Sequence, residues 1–300
     1  MALTSVRQVG ITVHRTNHQA WQLGKELIAW LQQEAGVKVL LDEQTAKRLE
    51  RPDLSCCASV WEAVDFVVTL GGDGTILSAA RMAAPNGVPV LGVYMGRFGF
   101  IAESHPSTLY ADLRRALAGD VRIEERMMIE AEVWRNGTCV HTNLGLNDAV
   151  VKSATSSLLN LRLQLGGAPF ATYPADGLII ATSTGSTAYS LSAGGPIVAP
   201  TMGALILTPI CPHTLSARPM VIPCHDVIEI HIEDSGGDVL FKMDGVDPFP
   251  IQHNDRVVVR RSQFVTKLIV LDHATFYQKV RARYLYGERL DEPDGLDPEP

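Results

Sequence analysis

The sequence predicts an α/β domain with a parallel, doubly wound sheet, followed by an antiparallel all-β region. Three observations predict it. Over residues 1–123, short apolar runs alternate with helical stripes. From about Glu124 onward, the runs become short strands punctuated by Gly, Asp and Pro. The chain has 300 residues, about two domains' worth and enough to bury a sizeable core.

Val9–Val13 is an apolar run between polar residues and predicts a buried strand. A helix follows, with Asn17 as its cap, a stripe of Trp21, Leu23, Leu27, Ile28 and Leu31, and Gly36 closing it. Val37–Leu41 and Asp65–Leu70 predict two more strands. The second runs into Gly71-Gly72-Asp73-Gly74-Thr75 and then a helix over Ile76–Ala84. Val88–Tyr94 predicts the fourth strand. Strands alternating with helices imply right-handed crossovers and a parallel sheet, and ligands bind such sheets beyond the carboxyl ends of the strands. GGDGT stands at such an end.

In the second region, Asn136-Gly137 within Met127–Thr142 is a strong hairpin signal. Leu159–Leu165 alternates strictly, which turns Asn160, Arg162 and Gln164 outward, and Gly166-Gly167 then turns the chain. Further strands are expected at Ala204–Thr208, Val227–Ile232, Val239–Met243, Arg256–Arg260 and Leu268–Leu271, giving a sandwich or a barrel. Phe276–Tyr286 predicts a closing helix that packs back on the first domain. The expected division is therefore 1–123, completed by the helix within 273–290, then 124–272, and a disordered acidic tail at 291–300.

Composition excludes several classes. The net charge of −7 argues against nucleic-acid binding. Much of it is local: the last ten residues hold five acids and no base, leaving −2 for residues 1–290. No apolar stretch is long enough for a membrane span, and the start lacks the apolar core and cleavage site of a secretory signal. The five cysteines (Cys56, Cys57, Cys139, Cys211, Cys224) are odd in number and contain no C-x-x-C. No disulfide framework is expected, and a reducing cytoplasm is the simple expectation.

The candidate chemistry lies in a few segments. In GGDGT, glycines let backbone approach a ligand, and the following helix start suits phosphate. Asp73 could orient Mg²⁺, accept a proton from an attacking hydroxyl, or simply cap the helix. Neither the dinucleotide G-x-G-x-x-G nor a Walker A pattern accounts for it. A second segment runs from Asp176 through an apolar strand into Thr182-Ser183-Thr184-Gly185-Ser186-Thr187-Ala188-Tyr189-Ser190-Leu191-Ser192. A helix is expected to start near Ser186. So many hydroxyls plus a tyrosine can bond a ribose or base edge and stack on a ring, although hydroxyls at a helix start also cap. Asn147-Asp148 can read adenine and ribose hydroxyls, or form a plain turn. Cys211–Pro219 looks like a shaped loop in which Arg218 meets phosphate or pairs structurally. No histidine pattern or G-x-S-x-G elbow supports a nucleophilic triad.

In order along the chain, GGDGT, GRFGFIAE at Gly96, Asn147-Asp148, DGLIIATSTGSTAYSLSAGGP at Asp176 and PHTLSARP at Pro212 resemble the NAD kinase family. The resemblance is strong over Val64–Ile222. It implies a Rossmann-like domain followed by an antiparallel β-sandwich, with the site between them. It implies ATP-dependent phosphorylation of the 2′-hydroxyl of the adenosine ribose of NAD. By position it makes Asp73 the proton acceptor, and Gly71, Gly72, Gly74 and Thr75 the phosphate loop. Asp73, Gly74 and Phe100 would line the NAD pocket, and Asn147 and Asp148 would hold the adenosine half. Thr184, Thr187, Ala188, Tyr189 and Ser192 would form the dinucleotide pocket. Asp176 would approach the nicotinamide end, in some family members from a neighbouring subunit, so a dimer or tetramer is expected. The implied metal is a divalent cation such as Mg²⁺, held mainly by ATP phosphates. A lipid or sugar kinase sharing GGDG, or a non-catalytic dinucleotide sensor, are the alternatives; neither kinase would need the TGSTAY block. The chain departs from the family at Asp148 (usually Glu), Ser183 (usually Pro) and Phe98 (usually Leu).

Overall fold

The computed structural model describes residues 6–56, 60–96, 99–155, 157–235 and 237–284. Cys57, Arg97, Phe98, the expected helix end at Tyr286 and the acidic tail lie outside the described residues. The elements of the first region are β1 (Gln8–Val13), α1 (His18–Gln33), β2 (Lys38–Leu41), α2 (Glu43–Arg48), α3 (Val60–Ala63), β3 (Phe66–Gly71), α4 (Asp73–Ala83), β4 (Val90–Tyr94) and α5 (Leu109–Leu117). The Asn17 side chain caps α1 through the Gln19 and Ala20 amides, and Gly36 leaves the helix at φ +64°, a conformation that suits glycine. Strands β2, β1, β3 and β4 are parallel and lie in that order. Chain direction across the sheet reverses between β1 and β3, the switch point at which such sheets bind ligands. All six residues of β3 are buried, as expected for a central strand covered on both faces.

The second region comprises β5 (Arg122–Arg135), β6 (Thr138–Gly145), β7 (Asp148–Ser153), β8 (Leu159–Leu165), β9 (Ala168–Ala175), β10 (Gly177–Thr182), α6 (Tyr189–Ser192), β11 (Ala204–Ile210), β12 (Met220–Pro223), β13 (Ile228–Ser235), β14 (Val239–Met243), β15 (Val246–Ile251) and β16 (Arg256–Val270), then α7 (Phe276–Tyr284). A six-stranded antiparallel sheet, β12-β11-β10-β7-β14-β15, faces the antiparallel part of the larger sheet. Leu161, Leu163, Ile180, Leu207, Ile230, Phe241 and Val259 fill the space between them. The architecture is thus a sandwich rather than a barrel.

The strands expected at Arg256–Arg260 and Leu268–Leu271 are one strand, β16. Its polar middle is not a break, because β5 pairs with it from Arg256↔Trp134 to Val270↔Arg122, accommodating the irregularity with a register shift between Arg261 and Val265. One end of β16 pairs in parallel with β4 and the other with β13, so the ten-stranded sheet runs without interruption from the α/β part into the sandwich. The helix expected from Ile76 begins at Asp73, since Gly72 already takes the cap position. The helix expected near Ser186 is instead a 3₁₀ turn, Thr184–Thr187, followed by the single turn α6.

Candidate active site

Asp73 is the first residue of α4, where exposed amides and the helix dipole favour negative charge. The Phe100 amide donates to its Oδ2 at 3.2 Å, while Oδ1 is buried with no partner. Burial pushes the carboxyl above the ordinary aspartate range; amides of Phe100, Ile101 and Ala102 and the charge of Lys279 pull the other way. Gly72 and Gly74 are exposed, and nothing lies within 4 Å of where a β-carbon would stand on either. Backbone is therefore open to a ligand beside Asp73. Gly71 ends β3 in contact with the Thr75 side chain, and the Thr75 amide closes the turn on the Gly72 carbonyl at 2.9 Å.

The hydroxyl-rich segment is stitched to Asn147. The Thr182 amide donates to the Asn147 carbonyl at 2.8 Å, the Thr182 hydroxyl donates to the Leu146 carbonyl at 2.6 Å, and the Gly185 amide donates to the Thr182 hydroxyl at 3.0 Å. Gly185 lies so close to the Asn147 backbone that a β-carbon there would collide with it. The hydroxyls divide by role. Ser183 donates to the Met202 and Ala204 carbonyls at 2.6 and 3.2 Å, so the serine ties down the turn where the family usually has proline. Ser186 bonds both the amide and the carbonyl of Val198, and Ser190 bonds Thr208. Thr187 reaches the Thr184 carbonyl at 3.4 Å. The Thr184 hydroxyl and Asn147 Oδ1, by contrast, are buried without partners. A buried polar atom left unpaired carries a desolvation cost, and a bound ligand relieves it. Tyr189 and Ser192 are exposed beside them and Ala188 is half-buried.

Asp148 opens β7 and is buried. Its carboxyl is pushed up to about 7 by burial, with the charge of Asp244 adding to the shift. Asp244 occupies the β14–β15 turn at φ +50° and accepts the amides of Leu146, Asn147 and Asp148 at 3.0, 2.8 and 3.1 Å. Burial raises its carboxyl too, opposed by those amides and by Arg81. Arg81 belongs to α4, and its Nη1 lies 4.0 Å from Asp244 Oδ2. The helix that begins with Asp73 is therefore tied to the Asn147-Asp148 corner.

The chain matches the sequence patterns of two known domains: the ATP-NAD kinase N-terminal domain over residues 9–121 and the ATP-NAD kinase C-terminal domain over residues 146–271. It is 42% identical over 275 residues to an NAD kinase of Symbiobacterium thermophilum, covering 91% of this chain and 97% of that one. The chain belongs to the ATP-NAD kinase family. It is also 40% identical to an NAD kinase of Heliobacterium modesticaldum, over 93% of this chain and 99% of the relative. In fold it is similar to yeast NADH kinase solved with NADH, with a TM-score of 0.86 and 24% identity over 96% of this chain and 91% of that chain. It is also similar to an Archaeoglobus fulgidus NAD kinase solved with ATP, with a TM-score of 0.69 and 25% identity over 93% of this chain and 97% of that chain.

Within this ATP-NAD kinase fold, the sequence-predicted residues do not all converge. Asn147, Asp148 and the Thr182–Gly185 turn are linked by the contacts above, Asp73 and Phe100 form a second contact group, and Arg81, eight residues along α4 from Asp73, ties that helix to Asp244 beneath Asn147 and Asp148. Asp176 is in neither group: it precedes β10, and the six residues of that strand separate it from the Thr182 end by about 20 Å. Arg218 donates to the Leu215 and Ala217 carbonyls of its own loop at 2.6 and 2.8 Å. Sequence reasoning missed Asp244, Arg81, Glu103 and Lys279. Asp244-Gly245 carried a turn signal only, and its three donors lie almost a hundred residues away. As for an implied metal, no group of three or more His, Cys, Asp or Glu among the described residues could hold one. The donor set does not fit a protein-held metal cage.

Proposed function

We propose that this chain transfers a phosphoryl group from ATP to the 2′-hydroxyl of the adenosine ribose of NAD, giving NADP. The observation that carries this reading is that three of the buried, unpartnered side-chain polar atoms among the described residues are Asp73 Oδ1, Asn147 Oδ1 and the Thr184 hydroxyl. Each belongs to a segment expected to hold the dinucleotide. Asn147 and Thr184 supply hydrogen-bonding groups for adenosine, with Asp148 and Tyr189 beside them. A ribose hydroxyl is a poor nucleophile at neutral pH. Asp73 Oδ1 is the free acceptor for its proton, while Phe100 N–H keeps the other oxygen in place. Gly72, Gly74 and the amides at the α4 start leave room for phosphate oxygens. A divalent cation, Mg²⁺ in this reading, neutralises phosphate charge and is carried by ATP.

Asp176 lies away from this cluster, which supports a homo-oligomer, a dimer or tetramer, whose second copy brings Asp176 to the nicotinamide end. A reducing, cytoplasmic setting is supported by the four described cysteines, all free. No described helix is long and apolar enough to cross a membrane. The deciding assay supplies ATP, Mg²⁺ and NAD and couples the product to an NADP-specific dehydrogenase. Turnover that falls at least about 10²-fold in a folded Asp73→Asn variant is expected. NAD binding by calorimetry without turnover, across metals and phosphoryl donors, would overturn the proposal in favour of a sensor.

A further inference from the structure

The C-terminal helix α7 takes no part in the reading above, yet its buried side meets the Asp73 corner. Lys279 is 5% exposed. Its Nζ donates to Glu103 Oε1 at 2.6 Å and to the Ala102 carbonyl at 3.3 Å. Both side chains of the ion pair are buried. Ala102 and Glu103 end the short segment that begins at Gly99, and that segment also defines where the Asp73 carboxylate sits. The Phe100 amide donates to Asp73 Oδ2, and Gly99 lies so close that a β-carbon on it would collide with both carboxylate oxygens. Helix α7 holds the Phe100 ring as well. Tyr284 stacks on it at 5.8 Å and Phe276 packs at 6.2 Å between centroids. The segment is gripped by Asp73 on one side and by α7 on the other.

A buried ion pair is weak as a stabilising device, because desolvation consumes most of its attraction. This one is also under-satisfied: Glu103 Oε2 is buried without a partner. Stability therefore does not explain why a lysine and a glutamate occupy this place, whereas position and charge do. We propose that Lys279 is a positioning residue for Asp73, anchoring the 99–103 segment that orients the carboxylate and placing a fixed positive charge behind it. This rests on the reading of Asp73 as proton acceptor. The positive charge opposes the upward push of burial on Asp73. The other charged groups at this corner are Glu103 itself and, beyond it, Arg126 paired with Glu124 at 2.6 Å and Arg122 paired with Glu124 and Asp272 at 2.9 and 2.8 Å.

The test compares Lys279→Met, Lys279→Gln and Lys279→Arg in the coupled ATP–NAD assay with Mg²⁺. Lys279→Met is expected to lower kcat at least about tenfold with KM for NAD within about threefold of the parent, since geometry at the reacting centre changes and the adenosine contacts do not. Lys279→Arg restores most of the loss. In Lys279→Met the acid limb of the kcat–pH profile moves to higher pH, because Asp73 loses its nearby cation. Carbon-detected NMR of the Asp73 carboxyl in the free enzyme shows its titration moving upward as well, independently of turnover. Parental kcat together with an unmoved Asp73 titration would overturn the proposal. If Lys279→Met does not fold, Lys279→Gln carries the same two readings. If the parent makes no NADP, the proton-acceptor reading fails, and the NMR titration alone decides what Lys279 does to Asp73.

Discussion

Asp244 clasps the main chain of Asp148 while the two carboxyl groups disfavour each other's charge. The Asp148 amide donates to Asp244 Oδ1 at 3.1 Å, and the Asp244 amide donates to the Asp148 carbonyl at 2.9 Å. The proximity has a consequence for stability against pH. The Asp148 carboxyl is pushed up to about 7 in the folded chain, whereas an unfolded aspartate titrates near about 3.9. Between those values the native state binds more protons than the unfolded state. The contribution of this group is therefore present at low pH and lost as pH rises through about 7. Between pH 5 and pH 8, urea unfolding should show the parent losing about 2 kcal/mol more than an Asp148→Asn variant, whose side chain does not titrate. Equal pH slopes for the two proteins would mean that Asp148 ionises freely.

Removal of the Asp244 carboxylate should be costly in two ways. Asp244→Ala leaves three amides (Leu146, Asn147 and Asp148) without their acceptor and leaves Arg81 without its buried partner. A loss of about 3 kcal/mol is expected, the size typical of breaking a buried charged network. Because the same amides shape the Asn147-Asp148 corner, KM for NAD should rise as well, by about tenfold or more. Asp244→Asn keeps an acceptor oxygen and should lose less in both measurements. Chemical denaturation and steady-state kinetics on the same preparations check this, and a rise in KM without loss of stability would place Asp244 at the ligand rather than beneath it.

Much of the fold was legible because local signals and tertiary structure agree. The Asn17 cap, Gly36, Asn136-Gly137 and the alternation of Leu159–Leu165 each act within a few residues of themselves. GGDGT was legible for the same reason: a strand, three glycines and a helix start are contiguous. The parts that were not legible depend on distant partners. Nothing between Arg260 and Leu268 marks a continuous strand; β5, more than a hundred residues earlier, imposes it. Asp244 reads as an ordinary turn residue until β14 delivers it beneath Leu146–Asp148. Lys279 reads as one of several basic residues on a polar helix, and only the docking of α7 buries it against Glu103. Ser183 carries a related lesson. A proline there would stiffen the turn by its ring, whereas the serine does so through one hydroxyl shared between the Met202 and Ala204 carbonyls, partners that the local sequence does not reveal.

Gly185 tests how tightly the hydroxyl-rich turn must sit on Asn147. A β-carbon at this position meets backbone, the Asn147 carbonyl above all, so no side-chain rotation relieves the clash. Gly185→Ala should force the turn away from Asn147 and break the Gly185–Thr182 bond. The expected cost is about 1–3 kcal/mol of stability, the range for overpacking a close-packed site, with KM for NAD raised at least about tenfold. Thermal unfolding and kinetics give both numbers. A variant with parental KM would show that the dinucleotide does not depend on this contact.

Gly99 offers the complementary test, at the reacting group rather than the binding surface. Here the colliding atoms are Asp73 Oδ1 and Oδ2, the end of a short side chain that can swing away. Gly99→Ala should therefore fold and bind NAD much as the parent does, since Asn147, Thr184 and the Asp244 network are untouched. The carboxylate, however, must leave the position set by the Phe100 amide. A displacement of about 1 Å at a catalytic group costs on the order of 10²-fold in rate, so kcat should fall by that factor with KM little changed. Calorimetric titration with NAD separates the two effects. Weak binding with intact kcat would reverse the assignment, making Gly99 part of the dinucleotide pocket and leaving Asp73 indifferent to its neighbour.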